Sequence, residues 1–236
     1  MKQAMGLAVL LVTLAGCSGT AEEGSGGTGS EQAAEVVSYE PAEDFSNGTP
    51  GYAAADAETV EMDELGGGTQ RTKFRTNDAI GDVYDYYAFV LGDRGYTLNH
   101  FGLTAETSTG EQLGRFTVRD SNDGLSRFEM LTNAEMINTP GADMAVDVPA
   151  FPGVDPADVT VEEGMGYANK ISFTAEASAA DILAFYRSAF SGNGFTVSRL
   201  AMRAIDETGQ MPNLNVVSGE PFRGDHATEV ELQAYE

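Results

Sequence analysis

The sequence predicts an α+β protein made of two tandem modules, each one helix packed on an antiparallel sheet of about five strands in the order β-β-α-β-β-β. Three observations predict it: a self-similarity at a spacing of 99 residues, one amphipathic helical pattern in each half, and short alternating runs flanked by turn residues around each helix.

The stretch RTKFRTNDAIGDVYDYYAFVLGDRGYTL aligns without gaps with KISFTAEASAADILAFYRSAFSGNGFTV. Phe74 meets Phe173, Asp82 meets Asp181, Tyr87 meets Tyr186 and Gly95 meets Gly194. A gapless register of roughly 35 residues is the mark of an internal repeat. Pro50-Gly51 and Pro152-Gly153 precede the first strands at a slightly larger spacing.

Each module then reads in the same order. A first strand (ETVEM; DVTVEE) passes through a glycine turn (LGGG; GMG) to a second strand (TKFRT; KISFT). In the first helix Val83, Tyr86, Tyr87, Val90 and Leu91 fall on one face, and in the second Ile182, Phe185, Tyr186, Ala189 and Phe190 repeat that face. Aromatics at this spacing are core residues. Asp82 and Asp181 lie in the first turns, where a carboxylate complements the helix dipole, and Ser178 with Asp181 forms a capping box. Gly95 and Gly194 stand where a left-handed residue closes a helix. Arg187 has Ala88 as its counterpart and reads as solvated. The later strands are YTLNHFGL, GRFTVRD and SRFEMLT, then FTVSRLAM, LNVVS and TEVELQAY. The expected domains are 38–132 and 148–236, joined by a linker over 133–147.

The N-terminus has a different character. After Lys2 an uncharged run from Ala4 to Ala15 would be about 18 Å long as a helix, too short for a bilayer core of roughly 30 Å. It has the layout of a secretory signal over residues 1–16. Its end, Leu14-Ala15-Gly16-Cys17, resembles the lipobox of prokaryotic lipoproteins. That resemblance implies cleavage between Gly16 and Cys17 and acylation of Cys17, palmitate being the expected class of chain. Two or more chains anchor stably where one does not. Residues 17–37, rich in Gly, Ser and Glu, form a flexible tether. The expected location is therefore exported and lipid-anchored to the cell membrane or outer membrane, facing the periplasm or the surface. Under the family's sorting rule, Ser18 points to the outer membrane. Cys17 is the lone cysteine, so once acylated it leaves no disulfide to hold the fold.

A net charge of −24 argues against nucleic acid as a partner, because nucleic-acid binding needs a basic footprint. It also argues against close approach to anionic headgroups, which leaves the lipid on Cys17 as the contact with the membrane.

The strand-helix-strands order, doubled, resembles the vicinal-oxygen-chelate superfamily that includes the glyoxalases. Phe185-Tyr186 and Tyr87 with Leu91-Gly92 are similar to its helix motif. The resemblance implies a divalent metal held by histidine or glutamine on a first strand and glutamate on a last one. TKFRT and KISFT carry neither histidine nor glutamine. Glu129, Glu229 and Glu231 are the carboxylate candidates on the last strands, and His100 and His226 occupy non-equivalent positions. No metal and no cofactor is therefore expected. Asp120-Ser121-Asn122-Asp123-Gly124 resembles a calcium loop, but its glycine comes one place early and a hairpin turn accounts for it. The pattern "PG … F-T … FY … G-[FW]" in both modules resembles a group of exported lipoproteins, which implies no activity.

The expected function is a non-enzymatic envelope lipoprotein that binds or scaffolds an unidentified envelope protein or ligand, with the seam between modules as its groove. The alternatives are a metal-dependent enzyme of the vicinal-oxygen-chelate kind and a calcium-responsive surface protein.

Overall fold

The computed structural model describes residues 39–121, 124–133, 149–162, 168–206, 212–218 and 228–235. Gly16, Cys17, the tether, His226 and all of the linker but Asn133 lie outside the described residues. Residues 41–236 form one compact unit.

Its elements in chain order are β1 (Glu61–Gly66), β2 (Thr69–Thr76), α1 (Ile80–Asp93), β3 (Thr97–Glu106), β4 (Gln112–Asp120) and β5 (Ser126–Asn133). The second half supplies β6 (Thr160–Glu162), β7 (Ala168–Ala175), α2 (Ala179–Gly192), β8 (Thr196–Ile205), β9 (Asn213–Ser218) and β10 (Thr228–Tyr235). All ten strands belong to one antiparallel sheet, in the order β1-β2-β10-β9-β8-β3-β4-β5-β7-β6.

This arrangement corrects the expected fold class. The described residues are sheet-dominated, with two α-helices on one continuous sheet, and the two modules do not each own a sheet. The physical reason lies in strand direction. In a wholly antiparallel sheet of this order β2 and β3 run parallel, so a crossover must join them. Between them lie β10, β9 and β8 of the other half. Four inter-strand steps of about 4.8 Å cover about 19 Å, within the roughly 21 Å length of a 14-residue helix. Thus α1 packs over β8, β9 and β3, and α2 over β3, β4 and β8. Each half provides much of the floor beneath the other half's helix.

The repeat survives inside this interlacing, at a constant spacing of 99 residues. Gly102 and Ala201 are Cα partners in the central β3–β8 pairing, so a local two-fold axis passes between them. Tyr87 donates its hydroxyl to the Pro50 carbonyl at 3.1 Å, and Tyr186 donates to that of Pro149 at 3.1 Å. Burial pushes both phenols above their ordinary pKa, so they remain protonated donors. The counterpart of Pro50 is therefore Pro149, not Pro152. Asp56 and Asp155 each cap a short 3-10 helix. Gly95 and Gly194 take φ of 86° and 81°, and the following Tyr96 and Phe195 amides each bond back to the last helical turn at 3.0 Å. That is a Schellman closure, which needs the left-handed residue. Ser178 Oγ accepts from the Asp181 amide at 3.1 Å, the N-cap bond, and donates its own proton to Asp181 Oδ2 at 2.7 Å, so the reciprocal bond of a capping box runs to the hydroxyl rather than to the Ser178 amide.

The core lies between the helices and one face of the sheet. Phe101, Leu103, Phe116, Phe128, Leu200 and Leu232 point into it, all buried. Phe74 and Phe173 are also buried there. Phe128 stacks on Phe173 with centroids 4.5 Å apart and on Tyr186 at 4.8 Å. The halves are also tied at their strand-to-helix junctions. Ser126 Oγ on β5 donates to the Ala177 carbonyl before α2 at 2.5 Å, and Thr228 Oγ1 on β10 donates to the Asp78 carbonyl before α1 at 2.6 Å. Arg187 is not solvated as its sequence suggests. It reaches from α2 to grip Asp85 of α1 with two hydrogen bonds, 2.7 and 3.2 Å, and lies over the Tyr84 ring.

Candidate functional site

Side chains alternate across a strand, so the face opposite the helices is set by the same pairings. Its positions run through Arg71, Lys73 and Arg75 on β2, Glu229, Glu231 and Gln233 on β10, and Arg199, Ala201 and Arg203 on β8. They continue through His100, Gly102 and Thr104 on β3, Arg115, Thr117 and Arg119 on β4, Arg127 and Glu129 on β5, and Lys170 on β7. Among the described residues every lysine and arginine except Arg94 and Arg187 sits on this face. The overall charge of −24 therefore conceals a local basic field.

At the centre of the face, across the β3–β8 seam, lies a cavity of about 330 Å³. His100, Thr104, Arg115, Arg199, Arg203 and Gln233 are among the residues lining it, and among the described residues no carboxylate does. Its floor is low because Gly102 and Ala201 stand there side by side. Two transverse rows frame it. In one, His100 lies directly between Arg119 and Arg203; in the other, Thr104 lies directly between Arg115 and Arg199. Arg203 Nε donates to Asn213 Oδ1 at 2.8 Å, which orients that guanidinium. Burial, with Arg203 and Arg119 beside it, lowers the pKa of His100 below its usual 6.5.

The flanks of the face differ from its centre. Lys73 pairs with Glu231 at 3.0 Å, Arg75 with Glu229 at 3.5 Å and Lys170 with Glu129 at 3.1 Å, while Arg71 pairs with Asp63. Burial works against ionisation of Glu231, but hydrogen bonds from Lys73 and Gln233 outweigh it and hold its carboxyl below the usual range. The carboxylate candidates thus share a face without meeting. Five inter-strand steps of about 4.8 Å put β5 and β10 about 24 Å apart, so Glu129 is not brought to Glu229 and Glu231. Among the described residues no group of three or more His, Cys, Asp or Glu side chains is placed to hold a metal ion. Asp120 of the calcium-loop motif accepts from the Ala179 amide at 2.8 Å, which fixes the start of α2, and lies 2.8 Å from Ser126 Oγ, whose one proton it shares with the Ala177 carbonyl. Asn122 and Asp123 lie outside the described residues. Asp82, Asp181, Tyr87 and Tyr186 lie on the helical side of the sheet.

Sequence reasoning missed the arginine rows, though a signal was present. RFTVR (115–119) and RLAMR (199–203) each place two arginines four residues apart, which in a strand means the same face.

No helix among the described residues is long and apolar enough to cross a membrane. No protein-family model and no curated protein sequence matches the chain. A solved structure from Hippeastrum, of a protein described as an adenylyl cyclase candidate with a dominant triphosphatase activity, is similar at 11% identity, covering 70% of this chain and 79% of that one, with a TM-score of 0.18.

Proposed function

We propose that this chain is a lipid-anchored protein of the cell envelope that binds a ligand on the open face of its sheet without catalysing a reaction. The observation that carries the binding role is the cavity at the β3–β8 seam, which has a floor of small residues and a wall of polar and charged side chains. Sites for small ligands favour such junctions and combine shape with a few convergent polar groups. The metal-dependent alternative needs glutamates of the last strands to converge, and theirs are each engaged in an ion pair on separate flanks. The anchor rests on the lipobox alone, and nucleic acid stays disfavoured as a partner because the net charge is −24 and Arg71, Lys73, Arg75 and Lys170 on the flanks of the face are already paired with carboxylates.

Two variants of the full chain test the reading. Cys17→Ser is expected to abolish incorporation of labelled palmitate and to release the protein from the membrane fraction. Ala201→Trp fills the cavity floor; native mass spectrometry of wild-type protein extracted from envelopes should show a bound small molecule that this variant lacks. Equal ligand occupancy in both, with the fold intact by circular dichroism, would reject the open face as the site.

A further inference from the structure

We infer that the ligand of this cavity carries two oxyanion groups, phosphoryl or carboxylate, one for each row of cations, an assignment that rests on reading the open face as the binding site. In a chain with 37 acidic residues, none of the described ones lines the centre of this face. Among the described residues Arg115, Arg119 and Arg203 form no ion pair, while Arg71, Lys73, Arg75 and Lys170 on the flanks all do. Arg119 and Arg203 flank His100, and Arg115 and Arg199 flank Thr104, so the two arginines of each row stand two strands apart, about 10 Å at the backbone, where like charges repel. An anion converts that repulsion into attraction.

Guanidinium groups suit the task, because their fork matches the geometry of phosphoryl and carboxylate oxygens and remains charged at any physiological pH. The rows lie four residues apart, about 13 Å along the strands, and Arg115 and Arg199 of one row and Arg203 of the other line the same cavity. Thr117 and Gln233 add neutral hydrogen-bonding groups between and beside the rows. At about 330 Å³ the cavity falls at the small end of ligand sites. It suits a compact molecule with an oxyanion at each end, not a polymer.

The test is calorimetric titration of the full chain in nonionic detergent at low ionic strength, with pyrophosphate and citrate as probes and acetate as the single-anion control. A parallel arm places the chain in nanodiscs of phosphatidylcholine with and without phosphatidylglycerol. Saturable binding of pyrophosphate or citrate, at least tenfold tighter than acetate, identifies a soluble ligand. Binding confined to phosphatidylglycerol discs identifies a headgroup as the source of the same chemistry. In either case Arg115→Gln and Arg203→Gln should each weaken binding by about tenfold to hundredfold, the range for hydrogen bonds to charged groups. Arg71→Gln, with the same change in net charge, should leave it within about twofold. Absence of binding in every arm overturns the inference, and so does full affinity in Arg115→Gln or an equal loss in Arg71→Gln. If the anions fail while the Ala201→Trp variant still loses an envelope ligand, the charge assignment falls and the site remains. If that variant keeps its ligand, the site itself falls.

Discussion

Replacing Phe128 and Phe173 by leucine, singly and together, distinguishes an interlaced sheet from two separate modules. Phe128 sits on β5 in the first half and Phe173 on β7 in the second, directly paired and both buried, their rings stacked at 4.5 Å and 16°. Truncation to alanine would cost about 3–5 kcal/mol at each site, and two such losses would exhaust a stability of about 5–15 kcal/mol. Leucine keeps most of the apolar volume, so each single change should cost roughly 1–2 kcal/mol, between the loss of a methylene and full truncation. The stacked pair itself is worth about 0.5–1.5 kcal/mol beyond area burial. That contribution is lost in the first substitution and cannot be lost again in the second. Urea denaturation of all four proteins, at a common m-value, should therefore find the double variant less destabilised than the sum of the singles by about 0.5–1.5 kcal/mol. Additivity within about 0.3 kcal/mol is the behaviour of distant sites, and it would refute the contact between halves.

Three further outcomes follow from local geometry. Tyr186→Phe and Tyr87→Phe should each lower stability by about 1 kcal/mol, because each strands a carbonyl, of Pro149 or Pro50, that a hydroxyl now satisfies; unchanged urea midpoints would contradict those bonds. Gly51→Ala should destabilise by about 1–3 kcal/mol, since a Cβ there would lie 1.8 Å from the Glu43 carbonyl oxygen, whereas Gly92→Ala, with open space around it in α1, should stabilise by about 0.5–1 kcal/mol; thermal melts showing the same sign for both would be inconsistent with that packing. Because the pKa of His100 is lowered in the folded protein, the unfolded chain binds more protons below about pH 6.5, so this residue contributes stability above that pH and loses it as pH falls. Citrate or pyrophosphate should reverse the trend by stabilising the protonated imidazole between Arg119 and Arg203, and His100→Gln should flatten both pH profiles; an unaltered slope in that variant would remove His100 from the account.

The elements were legible in the sequence because each is written locally. The Tyr87 and Tyr186 faces, the Ser178–Asp181 box and the helix-closing Gly95 and Gly194 are decided within a few residues of themselves. Strand partnership is not local. Nothing in TKFRT states that its neighbour is TEVELQAY from more than 150 residues further on, and alternation in FTVSRLAM is satisfied by any partner that buries Leu200. The gap that lets β8, β9 and β10 enter between β2 and β3 comes from the span of α1, which periodicity reports as a helix length but not as a crossover width. Arg187 looked solvated because its partner Asp85 lies on the other helix. The cation rows had a readable spacing, Arg115 to Arg119 and Arg199 to Arg203, but their meaning depended on β3 and β8 lying side by side. Glu129, Glu229 and Glu231 stood out as lone carboxylates for the converse reason: their lysine and arginine partners come from strands that only the interlaced order brings adjacent.

The pairing of Gly102 with Ala201 is the most direct test of that order. In antiparallel strands such partners have Cα atoms about 4.5–5.5 Å apart, so their main-chain protons lie within range of a nuclear Overhauser effect. Backbone-assigned spectra of the full chain should show this cross-peak, together with those joining Phe74 to Val230 and Phe128 to Phe173. Intact cross-peaks within β3–β4 and β8–β9, with none between Gly102 and Ala201, would mean two separate sheets and no seam to hold a ligand.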